Sequence, residues 1–232
     1  MAGRFALEIS VESVELAEAA ARGGADRIEL CAELAVGGVT PGQELMRAVR
    51  AAVQVPIFAM IRPRAGNFVY SREEFTAMRA SIELAKRLEM DGAVLGLLTT
   101  GGLVDVARTR ELVEIAKPLP VTFHRAFDEC ADQLAALEDV IRTGARRILT
   151  SGGAASAAAG AATLARLVAA AGERITILPG AGIHAGNIAE MVRTTGAREF
   201  HSGLSSVLPK SAEASQFQVQ VVCLAKALRD AE

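Results

Sequence analysis

His124, Arg125 and Asp128 fall within five residues, directly behind the run Val121-Thr122-Phe123. That run is short, β-branched and aromatic, which suits a buried strand. An imidazole, a guanidinium and a carboxylate have little use in the middle of such a strand. At its C-terminal end they can share a pocket, where His124 does proton transfer and Arg125 and Asp128 bind or orient. Similar groups recur along the chain. Glu8 stands in Ala-Leu-Glu-Ile, and Glu29 stands two residues before Cys31 in Arg-Ile-Glu-Leu-Cys. Arg62 and Arg64 are two apart, as are Glu199 and His201. Residues two apart on a strand share a face. A carboxylate in an apolar strand is costly unless it is paired, so Glu8 and Glu29 require cations, and Arg62 is expected to contact at least one of them.

Two glycine-rich turns add an anion-binding character. Ser151-Gly152-Gly153 and Gly180-Ala181-Gly182 each follow a strand-like run. Glycine lets backbone amides approach an anion closely, and a helix N-terminus favours negative charge. The residues therefore suggest acid–base work by Glu8, Glu29 and His124. Arg62, Arg64, Arg125, Asp128, Ser151, Gly152, Gly180, Gly182 and His201 would hold a small anion, with phosphate a candidate. No lysine lies at a strand end, so a Schiff-base nucleophile is lacking. His124, His201, Glu8, Glu29 and Cys31 are metal-ligand types, but there is no His-x-His, Cys-x-x-Cys or Asp-x-Asp.

Elements that position these groups repeat along the chain. Strand-like runs begin near Phe5, Arg27, Ile57, Ala93, Val121, Arg147, Ile175 and Arg198, about 28 residues apart on average. Helix-period faces lie between them: Leu45/Val49/Ala52/Val53, Phe75/Met78/Ile82/Ala85, Leu134/Leu137/Ile141 and Phe217/Val221/Leu224/Leu228. Ser71 and Glu74 form a capping box, and Asp105 and Asp132 are N-caps. Gly24, Gly144 and Gly196 end helices in a repeated Gly-Ala-polar step before the next strand. Eight βα units without a composition break predict α/β architecture: one (β/α)8 TIM-type barrel over residues 1–232.

Composition agrees. Hydrophobic residues are 51% and aromatics 4% of the 232 residues. A net charge of −2 gives no nucleic-acid footprint, and no run is apolar enough for a signal peptide or a membrane span. Cys31, Cys130 and Cys223 are odd in number and far apart, which predicts free thiols and a reducing cytoplasm. Cys223 is expected to be a packed small hydrophobe in the last helix. Val219 and Val222 are expected to be exposed and to support a homodimer or higher homo-oligomer.

Eight stretches in order resemble one family: residues 7–9, 24–32, 37–41, 61–71, 121–128, 148–153, 179–183 and 199–202. They include Ile-Arg-Pro-Arg-Ala-Gly-Asn-Phe-Val-Tyr-Ser, Val-Thr-Phe-His-Arg-Ala-Phe-Asp and Pro-Gly-Ala-Gly-Ile. In these the chain resembles the CutC family, called copper homeostasis proteins. The resemblance implies a cytosolic TIM-type barrel with copper as a bound ion, and Cys31 and Cys130 stand where members often carry cysteine. Many members also have a cysteine pair just after the first strand, where this chain has Ile9-Ser10-Val11-Glu12. Cu(I) binding is accordingly expected to be weak and to depend on Cys31 or Cys130. The alternative is a barrel enzyme acting by acid–base chemistry on a small anionic substrate.

Overall fold

A computed structural model describes residues 5–209 and 212–231. The strands are β1 (Ala6–Val11), β2 (Arg27–Leu30), β3 (Ile57–Met60), β4 (Gly92–Leu95), β5 (Val121–Phe123), β6 (Arg147–Thr150), β7 (Thr176–Pro179) and β8 (Glu199–Ser202). Each begins within one residue of the start expected from the sequence. All ladders are parallel, in the order β7-β6-β5-β4-β3-β2-β1-β8. β7 and β8 are neighbours without a ladder among the described residues. Ser202 Oγ bridges this seam by donating to the Ile183 carbonyl at 2.6 Å. The result is a single (β/α)8 TIM barrel.

Among the described residues, eight α-helices surround it: α1 (Val14–Gly23), α2 (Gln43–Ala52), α3 (Arg72–Arg87), α4 (Val106–Ala116), α5 (Gln133–Thr143), α6 (Ala161–Ala171), α7 (Ile188–Thr195) and α8 (Ala214–Arg229). Their ends follow the local chemistry. Ser71 accepts from the Glu74 amide and Glu74 returns a bond to Ser71, while Asp105 and Asp132 cap α4 and α5. Gly24, Gly144 and Gly196 close α1, α5 and α7 in the left-handed region. The apolar faces of α3 and α8 are as expected. That of α5 is rotated: Ala136, Leu137, Val140 and Thr143 are buried, while Leu134 is exposed. The Leu134/Leu137/Ile141 face counted the bulkiest residues, whereas α5 packs closely through its smaller ones. In α2, Met46 rather than Leu45 joins Val49 in the core.

Alternation along each strand separates two interiors. Ile9, Ile28, Leu30, Ile57, Leu95 and Ile148 point outward into the continuous apolar shell under the helices. Truncating a leucine or isoleucine there to alanine costs about 2–5 kcal/mol. The inward residues are different: a small cluster of Cys31, Phe58, Met60 and Val94, and otherwise charged groups with uncharged side chains such as Ser10 and Leu149 among them. Gly92 on β4 leaves the space that the Phe58 ring fills; a Cβ there would lie 2.6 Å from ring carbons. Val219 and Val222 are exposed on α8, and so is Cys223, which is therefore not a packed core residue. No helix among the described residues is long and apolar enough to cross a membrane.

Candidate functional site

The barrel floor is built from β1, β2, β6 and β8. Arg27 donates through Nε to Glu8 Oε2 at 2.5 Å and through Nη2 to Glu199 Oε2 at 2.8 Å. Arg147 Nε reaches the same Glu199 oxygen at 2.8 Å. Both guanidinium groups lie over the Phe58 ring, about 5 Å from its centroid. The register puts Glu8 level with Arg27 on one side and His201 on the other. Glu8 Oε1 meets His201 Nδ1 at 2.7 Å. Full burial pushes the Glu8 carboxyl up, but Arg27 and His201 outweigh it and hold it at about 2.

One layer up, towards the strand ends, the balance changes. Glu29 is two residues beyond Arg27 and is buried. Its Oε2 accepts from the Cys31 thiol at 3.5 Å and lies 3.9 Å from His201 Nε2, while Oε1 has no hydrogen-bond partner. Burial, with the Glu8 charge nearby, raises the Glu29 pKa. Burial opposes a charge on His201, but Glu29 and Glu8 outweigh it and raise the His201 pKa. Glu8, Glu29 and His201 have ligand-type atoms within 4.8 Å of one another. Both Glu8 oxygens are already engaged, so the groups still open are Glu29 and His201 Nε2.

Across the barrel, His124 follows β5 and caps the short 3-10 helix Arg125–Glu129, its Nδ1 accepting from the Ala126 amide at 3.2 Å. Its ring occupies the space left by Gly96, where a Cβ would lie 2.5 Å from Nδ1. Nε2 is buried and unpartnered. Burial and the positive charge of Arg62 drop the His124 pKa to about 3, so the ring is neutral. The half-buried Phe68 covers both groups, with its ring centroid 4.9 Å from the His124 ring and 4.9 Å from the Arg62 guanidinium.

Glu29, His201, His124, Arg62, Arg125, Asp128 and Gly182 line one cavity of about 600 Å³ at the C-terminal mouth, together with Ser10, Met60, Phe68, Leu149 and the loop Ser202–Ser206. Glu8 sits beneath it. The sequence thus indicated most of the wall, but it missed Phe68 and the floor residues Arg27 and Arg147. Arg27 was within reach of the period-two rule, because it shares a face with Glu29. Phe68 lies in a loop, where no periodicity applies.

Several expected roles are not met. Arg62 touches neither glutamate. β3 ends at Met60, so Arg62 leaves the strand and donates to the carbonyls of Val36, Gly38 and Gly66, clasping two loops. The register has already given Glu8 to Arg27. Arg64 turns away from the mouth to Glu74 at 2.5 Å and to the carbonyls of Ala65, Asn67 and Val69. The turn after β6 is filled from within. Asp128 accepts from Thr150 Oγ1, from the Ser151 amide and hydroxyl, from the Gly153 amide and from Arg125 Nε, at 2.5–3.3 Å. The Gly152 amide donates to Thr150 Oγ1 at 2.9 Å. Ser151 therefore serves a resident carboxylate, the Gly152 amide serves the Thr150 hydroxyl bonded to it, and Gly180 makes room for Leu149. Cys31 belongs to the interior cluster and Cys130 to the outer shell, so the barrel does not bring them together. Burial pushes Cys31 well above its ordinary value, helped by Glu29, and lifts Cys130 to about 11. All three cysteines are free.

Comparison with known proteins gives one family. The model of the CutC family matches residues 5–206. A CutC family protein of Chromobacterium violaceum is 50% identical over 196 residues, 84% of this chain and 79% of its own length. A human protein named copper homeostasis protein cutC homolog is 47% identical over 205 residues, 88% of this chain and 75% of its own. Among solved structures, a CutC protein of Streptococcus agalactiae superposes with a TM-score of 0.80 at 31% identity, covering 86% of this chain and 98% of that one. A thiamine phosphate pyrophosphorylase of Pyrococcus furiosus, at 16% identity and a TM-score of 0.66, shares the fold.

Proposed function

Since the chain belongs to the CutC family, we propose a function for the barrel mouth and not for its thiols: acid–base chemistry on a small, oxygen-rich molecule. One observation carries this reading. Among the described residues, three buried groups in the wall of one cavity hold a polar atom without a partner: Glu29 Oε1, His124 Nε2 and Arg62 Nε. Native proteins satisfy nearly all such atoms, and exceptions gather at working sites. Glu29 is the proton acceptor, His201 sits behind it, and His124 is a neutral donor. Arg125, with 47% of its side chain exposed at the rim, is the contact for an anionic group on the ligand.

The family name implies copper, and the donors here fit Cu(I) poorly. Cu(I) favours two or more thiolates or thioethers close together. Cys31 and Cys130 lie in different packing regions, and burial keeps each protonated. Ser10 and Val11 add no thiol. Binding of Cu(I) is expected to be weak, to fall further in Cys31→Ser and to be unaffected in Cys130→Ser, as read by competition against a Cu(I) chelator. The free thiols support a reducing cytoplasm as the setting.

Metal analysis and extraction of bound metabolites from one purified sample test the reading. A co-purifying small organic acid, sugar or phosphate ester, lost or depleted in Arg125→Ala, is the expected result. Stoichiometric copper that needs Cys31, with no organic ligand, would replace the acid–base reading by a copper-handling one.

A further inference from the structure

The tautomer of His124 names a reaction class. Its Nδ1 accepts the Ala126 amide, so the proton of the neutral ring sits on Nε2. That N–H is buried and unpartnered, in the wall of the mouth cavity. The adjacent Arg62 guanidinium, with three backbone carbonyls as partners, opposes protonation of the ring. Phe68 covers both groups and keeps water away. The opposite wall, on β2, carries the unpartnered carboxylate oxygen of Glu29, backed by His201 and, behind that, Glu8. Among the described residues the lining includes no lysine; the Ser202 hydroxyl is spent on the Ile183 carbonyl, and no hydrogen bond joins the Ser10, Ser205 or Ser206 hydroxyl to a histidine or a carboxylate. An activated nucleophile for a covalent intermediate is therefore missing from the wall, whereas a base and a neutral donor share it.

Resting on the acid–base reading of this mouth, we infer that the cavity enolises a small α-hydroxy carbonyl compound, with Glu29 as the base and His124 Nε2–H as the donor to the carbonyl oxygen. The Glu29 carboxylate takes the proton from the α-carbon. The C–H electron pair becomes the C=C bond of the enol, and the carbonyl π pair moves to oxygen. The charge that develops there is met by the His124 N–H in a poorly hydrated wall, where such a bond is strongest. Return of the proton from Glu29 to the neighbouring carbon, with the hydroxyl proton passing to the former carbonyl oxygen, interconverts the aldose and ketose forms. Return to the same carbon gives exchange alone. No electrons are gained or lost overall. A neutral histidine donor is suited to this step, because an imidazolium in its place would itself give up a proton. His201 acts through Glu29 as a positioning residue.

The test uses dihydroxyacetone, D-erythrose and D-ribose 5-phosphate in D2O, with α-proton loss followed by proton NMR. Binding is read in the same tubes by saturation transfer. The wild type is expected to accelerate exchange of at least one probe over buffer. Glu29→Gln should lower that rate at least about 100-fold, and His124→Gln about 100-fold, with probe binding retained. Nitrogen-15 spectra of the unmodified protein should show His124 as the neutral Nε2–H tautomer, a check that needs no variant to fold. Binding without accelerated exchange would overturn the enolisation and leave a ligand-binding mouth. Neither binding nor exchange with all three probes would overturn the enolisation and the acid–base reading together. Exchange that is equally fast in both variants would also overturn the assignment.

Discussion

Arg27 and Glu29 stand two residues apart on β2 and face the same barrel interior, yet their surroundings have opposite character. Arg27 lies in a floor where each charge has an opposite charge in contact: Arg27 with Glu8 and Glu199, Arg147 with Glu199. Among the described residues, Arg147 Nη1 is the one fully buried charged-group atom of the floor without a partner. Glu29 lies in a mouth where the nearest cation is an imidazole at 3.9 Å, and where Glu29, His124 and Arg62 each keep an unpartnered atom. Glu199 and His201 repeat the contrast on β8, and Glu8 joins the layers, giving one oxygen to Arg27 and the other to His201. One strand geometry thus supplies both layers. Pairing makes the lower one scaffold, and incomplete pairing leaves the upper one able to bind and react.

The largest effect should come from breaking the floor. Arg27→Met leaves buried Glu8 with His201 alone and Glu199 with Arg147 alone, and removal of one partner from a buried ion pair costs about 3–5 kcal/mol. Urea unfolding should show this loss. A change under 1 kcal/mol would mean that the floor is not the scaffold. Next is the resident carboxylate at the mouth, Asp128. Asp128→Ala leaves the Thr150 hydroxyl and the Ser151 and Gly153 amides without their acceptor, while the Ser151 hydroxyl keeps the Ala154 carbonyl, and is expected to cost about 2–3 kcal/mol. Added phosphate should recover part of that stability by entering the vacated cradle. An unchanged unfolding midpoint in phosphate would show that the cradle is shaped for Asp128 alone.

The pH dependence divides the layers again. The His124 pKa is lowered in the fold from 6.5 to about 3, so between those values the unfolded chain binds the extra proton. Its contribution is present above pH 6.5 and is lost as pH falls towards 3. Glu8, lowered from 4.5 to about 2, adds a loss of the same sign below pH 4.5. His201 runs the other way: its pKa is raised, so its contribution is present below 6.5 and is lost as pH rises through the folded value. His124→Gln should therefore flatten the acid limb of stability between pH 6.5 and 3, as read by thermal unfolding across that range. An unchanged limb would mean that His124 titrates normally. The smallest effect belongs to Arg64, whose side chain is 38% exposed in its pair with Glu74. Arg64→Ala should cost at most about 1 kcal/mol and leave ligand binding in the mouth intact.

The barrel was legible because its signals are local and repeated. Strand starts, the Ser71 capping box and the glycine C-caps each depend on a few neighbouring residues. Inward-facing Glu29 and His201 followed from period-two spacing, and Glu8 from a carboxylate set in an apolar strand. What failed was partner choice. Arg62 and Arg64 lie beyond the last residue of β3, where alternation no longer governs direction, and the partner of Glu8 is fixed by the β1–β2 register, a contact between distant residues. The glycine turn after β6 looked ready for an outside anion because nothing in its own residues reveals that Asp128, 23 positions earlier than Ser151, occupies it.

Glu29→Gln is the most direct probe of the division between a paired floor and a working mouth. The substitution keeps the shape and removes a buried charge whose pKa is raised by burial and by Glu8. Urea unfolding at pH 7 beside wild type and Arg27→Met should find Glu29→Gln at least as stable as the wild type, by up to about 1 kcal/mol, as expected where a charge is kept for activity at a cost in stability. A loss matching that of Arg27→Met would contradict the account, because Glu29 would then be as much a part of the scaffold as the arginine two residues before it.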